Sequence, residues 1–163
     1  MFTPYSPEWP KQYEAESRVV QDILGDIVLD MQHVGNTSIP GSTGRPVIDI
    51  AILINSIDDL KPYLPQIEAL GYTHIPWPSL TGRMFFGRGN PETHHLTFVQ
   101  KDKQSYFKKQ IIFRDYLRAH PKYVKEYVDV KVSALEKVTD ASRYVQIKAP
   151  FIEKILELAH ALN

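Results

Sequence analysis

Eight consecutive residues, Val47 to Ile54 (VIDIAILI), constrain this chain more than any other stretch. A strand sends alternate side chains to opposite faces, so Ile48, Ile50, Ile52 and Ile54 share one face and Val47, Asp49, Ala51 and Leu53 the other. A face made only of isoleucine belongs in a core, and the near-continuous apolar character predicts a central strand covered on both sides. One carboxylate, Asp49, interrupts the run. An isolated charge away from water is costly, so Asp49 requires a metal ion, loop N–H groups or the guanidinium of nearby Arg45 as partner.

The segment feeding this strand, HVGNTSIPGSTGR from His33 to Arg45, is rich in turn formers. Glycine lets backbone N–H groups approach a ligand, and hydroxyls add donors, so Gly35, Asn36, Thr37 and Ser38 are candidates for a phosphate cradle. The alternative is a structural turn between strands. The pattern is neither GxxxxGK[ST] nor GxGxxG opening a helix, which excludes P-loop and dinucleotide-binding readings. Arg45 offers a planar fork matched to phosphate, or is simply solvated. If Asp49 binds a metal, Mg2+ is the expected ion, since it takes carboxylate oxygens and substrate phosphates together.

Helical spacing of Trp9, Tyr13, Val20, Ile23 and Leu24 predicts a first helix over Glu8 to Leu24, closed by Gly25. Alternation predicts a strand from Ile27 to Val34. A second helix is expected after Ser56 or Asp58, with the stripe Leu60, Leu64, Ile67 and Leu70 and a terminal Gly71. A short strand at Tyr72 to Ile75 leads into a loop at Pro76, Trp77 and Pro78. Strands over Arg83 to Gly87 and Thr93 to Val99 then flank the turn Arg88-Gly89-Asn90-Pro91. From Ser105 the pattern is helical, with a stripe of Tyr106, Gln110, Phe113 and Leu117, a break at His120-Pro121, a helix through Val124, Val128, Lys131 and Leu135, and a last one containing Pro150, where a kink or two abutting pieces are expected.

The 163 residues, 43% apolar and 23% charged, suit one globular unit over residues 1–163. Lys plus Arg and Asp plus Glu are equal at 19 each, so no net field recruits nucleic acid or an anionic membrane. Cysteine is absent, which removes disulfides and thiolate chemistry. No basic segment precedes an apolar run at the start, and no stretch approaches the ~18 apolar residues of a membrane span, so a cytoplasmic location is expected.

Other polar residues could join Asp49. His94 and His95 are adjacent on a strand and point to opposite faces, so one ring packs while the other is available to the site as metal ligand or general base. His33 meets the loop if its strand neighbours that of Asp49. Arg114 and Arg118, four apart, share a helical face and form a polar cluster with Lys131 of the following helix, suited either to an acidic ligand or to solvent and internal salt bridges.

The motifs HVGNTSIPG, RPVIDI, THHLTFV, FRDYLRAHP and YVDVKVSAL, with the opening YSPEWPKQYEAE, resemble the GrpB (UPF0157) family across essentially the whole chain. That family is grouped with the polymerase-β-like nucleotidyltransferases. The resemblance implies an α/β (α+β) fold with a mixed sheet of about five strands and helices packed against it. It also implies a Gly-Ser turn that holds phosphates and a strand bearing two metal-binding carboxylates two residues apart. Here the turn reads Gly35-Asn36, the first carboxylate is Asp49 and the second position is Ala51, which cannot ligate a metal. Two functions are therefore expected as alternatives. One is nucleotidyl transfer to an acceptor, with Asp49 and His95 as metal ligands or catalytic groups and Gly35, Asn36, Thr37, Ser38, Arg45, Arg114 and Lys131 around the phosphates. The other is a non-catalytic module binding a nucleotide or coenzyme A, in keeping with the family's fusion to dephospho-CoA kinase in some bacteria.

Overall fold

A computed structural model describes residues 2–76, 81–137 and 141–161. Its centre is a mixed five-stranded sheet in the order β1-β2-β5-β4-β3, formed by Asp30–Val34 (β1), Ile48–Ile54 (β2), Thr73–His74 (β3), Arg83–Gly89 (β4) and Glu92–Gln100 (β5). Among the described residues the β2–β5 pair is parallel, and β1–β2, β4–β5 and β3–β4 are antiparallel. The mixed sheet with packed helices expected from the sequence is the fold observed.

The isoleucine face of β2 is core, with Ile48, Ile50, Ile52 and Ile54 at most 1% exposed. Each fully buried isoleucine contributes roughly 1.5–3 kcal/mol by removal from water. They pack with Leu96 and Phe98 of β5 under helix α1 (Glu8–Leu24), whose Trp9, Val20 and Leu24 fill the same cluster. The opposite face carries Val34, Ala51 and Val99 and is covered by Phe107 of α3 (Gln104–Ala119). Helices α4 (Pro121–Lys137) and α5 (Ala141–Ala161) complete that layer around Phe113, Leu117, Val124, Tyr127, Phe151 and Ile155.

Several expectations are corrected. The first strand begins at Asp30 rather than Ile27, because residues 25–27 form a 3-10 turn after Gly25 turns the chain at φ 57°. The second helix is divided: Ile57–Tyr63 winds as 3-10, capped by Ser56, and only Leu64–Ala69 (α2) is α-helical. Pro62 and Pro65 lack the N–H that a continuous α-helix needs there. On α3 the stripe is led by Phe107, 2% exposed, while Tyr106 lies at the surface under Arg83. On α4 the buried positions are Val124, Tyr127, Lys131 and Ala134, and Leu135 is exposed. The last helix runs unbroken through Pro150 rather than as two pieces. β4 and β5 extend into the anticipated turn, so Glu92 opens β5. Trp77 and Pro78 of the expected loop lie outside the described residues.

Candidate functional site

The site forms where β1 and β2 meet the parallel edge of β5. Register places Asp49 opposite Val34 on one side and His95 on the other. After Val34 the chain turns at Gly35, with φ 75°, into a single 3-10 turn, Asn36–Ser38. A side chain at position 35 would collide with Asp49 Oδ2, so the glycine is what lets the turn close over the aspartate.

The turn is braced from below. Thr37 Oγ1 donates to Val47 O at 2.9 Å and therefore accepts from His33 Nε2, also at 2.9 Å. The His33 ring stacks on Tyr13 at 4.7 Å, and burial, followed by the charges of Arg118 and Arg114, lowers its pKa to about 4. Ser38 Oγ donates to Gly35 O at 2.6 Å. Thr37 and Ser38 are thus buried and internally bonded, and of the four cradle residues expected from sequence only Gly35 and Asn36 line the cleft. Arg114 is likewise drawn inward: it donates to Gln32 Oε1 at 2.8 Å, to His33 O at 2.9 Å and to Asp115, away from the cleft lining. Arg118 donates to Ser38 O at 2.9 Å.

The cleft encloses about 200 Å³ among Gly35, Asn36, Arg45, Asp49, His95 and the side chains of α4 and α5. Each of these helices presents a tyrosine and a lysine four residues apart: Tyr127 with Lys131, and Tyr144 with Lys148. Lys131 Nζ lies 4.2 Å from the Tyr127 ring centroid and Lys148 Nζ 4.4 Å from that of Tyr144. Lys131 is 3% exposed and donates to Asn36 Oδ1 at 2.6 Å and Ser42 Oγ at 2.9 Å. Ser42 also donates to Asn36 Oδ1, and Asn36 Nδ2 donates to Arg45 O. Burial and then the charge of Lys148 pull Lys131 down to about 7. Burial also lowers Lys148, against the attraction of Asp49 and with the repulsion of Arg45.

Across the cleft stands a three-residue chain. His95 Nδ1 is 3.1 Å from Asp49 Oδ1, and its Nε2 is 2.7 Å from Glu92 Oε2. Arg45 approaches the other Glu92 oxygen at 3.9 Å. A side chain at Gly87 would collide with Glu92 Oε2, as one at Gly35 would with Asp49. Burial lowers the His95 pKa, but the hydrogen bonds and charges of Asp49 and then Glu92 outweigh it and the net shift is upward. His94 faces the other side of the sheet, bonded to Thr93 and Arg88.

Tested against a magnesium site, these residues do not fit. Both ring nitrogens of His95 are engaged by carboxylates, Ala51 offers no ligand, and among the described residues no three His, Cys, Asp or Glu side chains converge to hold one ion. Sequence reasoning gave no site role to Glu92, which falls between the expected turn and the expected strand, nor to Tyr127, Tyr144 and Lys148. The two Tyr/Lys pairs at helical spacing were the available signal.

A family model described as GrpB protein matches residues 1–158. The UPF0157 protein YqkA of Bacillus subtilis is 31% identical over 157 residues, covering 95% of this chain, which in turn spans only 46% of that relative. The glutamate-rich protein GrpB of Alkalihalophilus pseudofirmus is 29% identical over 158 residues, 93% of this chain and 91% of its own length. The crystal structure of the conserved protein GrpB from Enterococcus faecalis superposes with a TM-score of 0.86 at 29% identity, over 98% of this chain and 96% of that one. No helix among the described residues is long and apolar enough to cross a membrane.

Proposed function

The chain belongs to the GrpB family, and from that premise we propose that its cleft binds a nucleotide or other phosphate-bearing ligand. The phosphate is received by Lys131, Lys148 and Arg45 beside the Gly35–Asn36 turn. The observation carrying this reading is the pair of cleft lysines that, among the described residues, meet no carboxylate in an ion pair. Two desolvated ammonium groups near one another raise the energy of the empty cleft, and an anion between them relieves it. Lysine is a point-charge donor to phosphate, and each ammonium lies over the ring of the tyrosine one turn earlier on its helix. The cleft is small against the ~300–1,000 Å³ of drug-sized pockets, so it suits a phosphate and the group attached to it.

Binding is favoured over metal-dependent nucleotidyl transfer by one observation, the engagement of both carboxylates by His95. Thermal shift with inorganic phosphate, nucleoside mono- and triphosphates and coenzyme A tests the reading. Stabilisation by at least one of these, lost in Lys148→Met, is expected; equal melting temperatures with and without every ligand would overturn it.

A further inference from the structure

Besides its cations, the cleft carries two polar atoms that meet no hydrogen-bond partner among the described residues. The first is Tyr127 Oη. Tyr127 is 6% exposed, its ring at right angles to Phe113 and stacked on Phe151, with centroids 5.3 and 5.4 Å apart. Its hydroxyl is unpaired but not sealed in, since the enclosed side-chain atom left without a partner among the described residues is Gln110 Oε1. The remaining exposure of this tyrosine therefore lies at the cleft it lines. The second is Asp49 Oδ2. His95 takes the other oxygen of that carboxylate, and Oδ2 lies over Gly35 on a side chain 33% exposed that lines the same cleft.

These two atoms ask for complementary partners. A carboxylate oxygen only accepts, whereas a phenol hydroxyl can donate. A second phosphate at this wall would set its charge against Asp49, and an ammonium would add a cation beside Lys131, Lys148 and Arg45. An alcohol hydroxyl brings no charge and both donates and accepts. We propose that the ligand of this cleft is a phosphorylated polyol, whose hydroxyls donate to Asp49 Oδ2 and accept from Tyr127 Oη while its phosphate meets the lysines. This rests on the phosphate reading above and names the class of molecule attached to the phosphate. Such a sugar phosphate exists free and as the pentose phosphate of a nucleotide.

A site whose buried polar groups pair with a hydroxyl rejects the analogue that lacks it. Isothermal titration calorimetry on the full chain compares two pairs of ligands: ribose 5-phosphate with propyl phosphate, and AMP with 2′,3′-dideoxy-AMP. The hydroxylated member is expected to bind at least tenfold tighter. A gap that includes the nucleotide pair assigns the pentose phosphate of a nucleotide, and a gap confined to the first pair assigns a free sugar phosphate. Tyr127→Phe keeps the ring packed on Phe113 and Phe151 and removes only the hydroxyl; Asp49→Ala removes the carboxylate. Each should narrow the gap at least fivefold, and Tyr127→Phe should leave the hydroxyl-free ester within twofold of its wild-type affinity. Equal affinities within both pairs, or a loss shared equally by both members of a pair in either variant, would overturn the proposal and leave the phosphate reading standing. Binding of none of the four compounds would overturn the phosphate reading, and the proposal with it.

Discussion

Gly35 and Asp49 approach so closely at the β1–β2 edge that a Cβ on residue 35 would strike Asp49 Oδ2. The backbone at Gly35 also sits at φ 75°, where a side chain is strained in any surroundings. Gly35→Ala is therefore expected to lower stability by about 2–3 kcal/mol, combining backbone strain with displacement of the carboxylate. For a chain of this size that is a fall of roughly 5–10 °C in Tm. Thermal unfolding checks the magnitude, and the displaced Asp49 should also reduce the upward shift of the His95 pKa, visible by NMR titration.

Lys131 offers a test that separates stability from binding. Burial and then Lys148 bring its pKa to about 7 in the folded chain, below its ordinary value of 10.5. The unfolded chain then binds more protons between these two values, so this residue makes stability rise as pH rises through that window. Lys131→Met removes the buried charge and keeps the stem. It is expected to raise the stability of the ligand-free protein at pH 7 by about 1–2 kcal/mol, to flatten the rise between pH 7 and 10, and to abolish stabilisation by phosphate compounds. Denaturant unfolding across that pH range, with and without phosphate, measures all three.

The difference between what was legible and what was not follows from where each residue finds its partner. The isoleucine face of β2 and the helix over Glu8–Leu24 are written in local periodicity, and both are observed as read. The helix before Gly71 was legible in its burial, through Leu60 and Ile67, but not in its winding, which the two prolines change. Thr37, Ser38 and Arg114 have the chemistry of phosphate ligands, yet their partners are Val47 O, Gly35 O and His33 O. Arg114 and His33 are 81 residues apart, and only the packing of α3 on β1 joins them. Glu92 escaped for the same reason: its role depends on the parallel register that sets Asp49 beside His95. Local pattern gives the elements, whereas register decides which polar groups satisfy one another.

On the far face of the sheet, Glu16 of α1 provides a control remote from the cleft chemistry. Its carboxylate accepts from both terminal nitrogens of Arg88, at 2.8 and 3.0 Å, and from Tyr72 Oη at 2.8 Å. Burial raises its pKa, but the bonds from Arg88 and Tyr72 outweigh burial and the net shift is downward. Glu16→Gln leaves the Arg88 guanidinium, 24% exposed, without its counter-charge and should cost about 2–3 kcal/mol. Phosphate binding measured under conditions where the variant is fully folded should be unchanged; a loss of affinity would show that the two faces are coupled.

Acid should act on the brace beneath the turn before it acts on the carboxylates. In the folded chain His33 is held to about 4 by burial, reinforced by Arg118 and Arg114, against an ordinary value of 6.5. It is neutral there, donating one proton to Thr37 and stacked on Tyr13. The unfolded chain takes up this proton first, so stability is fully present above pH 6.5 and drains away as pH falls toward 4. The loss over that interval is on the order of 3 kcal/mol for a shift of this size. Glu16, whose folded pKa lies below its ordinary 4.5, begins to contribute only at lower pH, so the two can be told apart. Unfolding free energies measured from pH 7 to 4 should decline in wild type and decline much less in His33→Gln, whatever the absolute stability of that variant. Parallel slopes for the two proteins would mean that His33 is protonated in the folded state and that another group governs the acid limb.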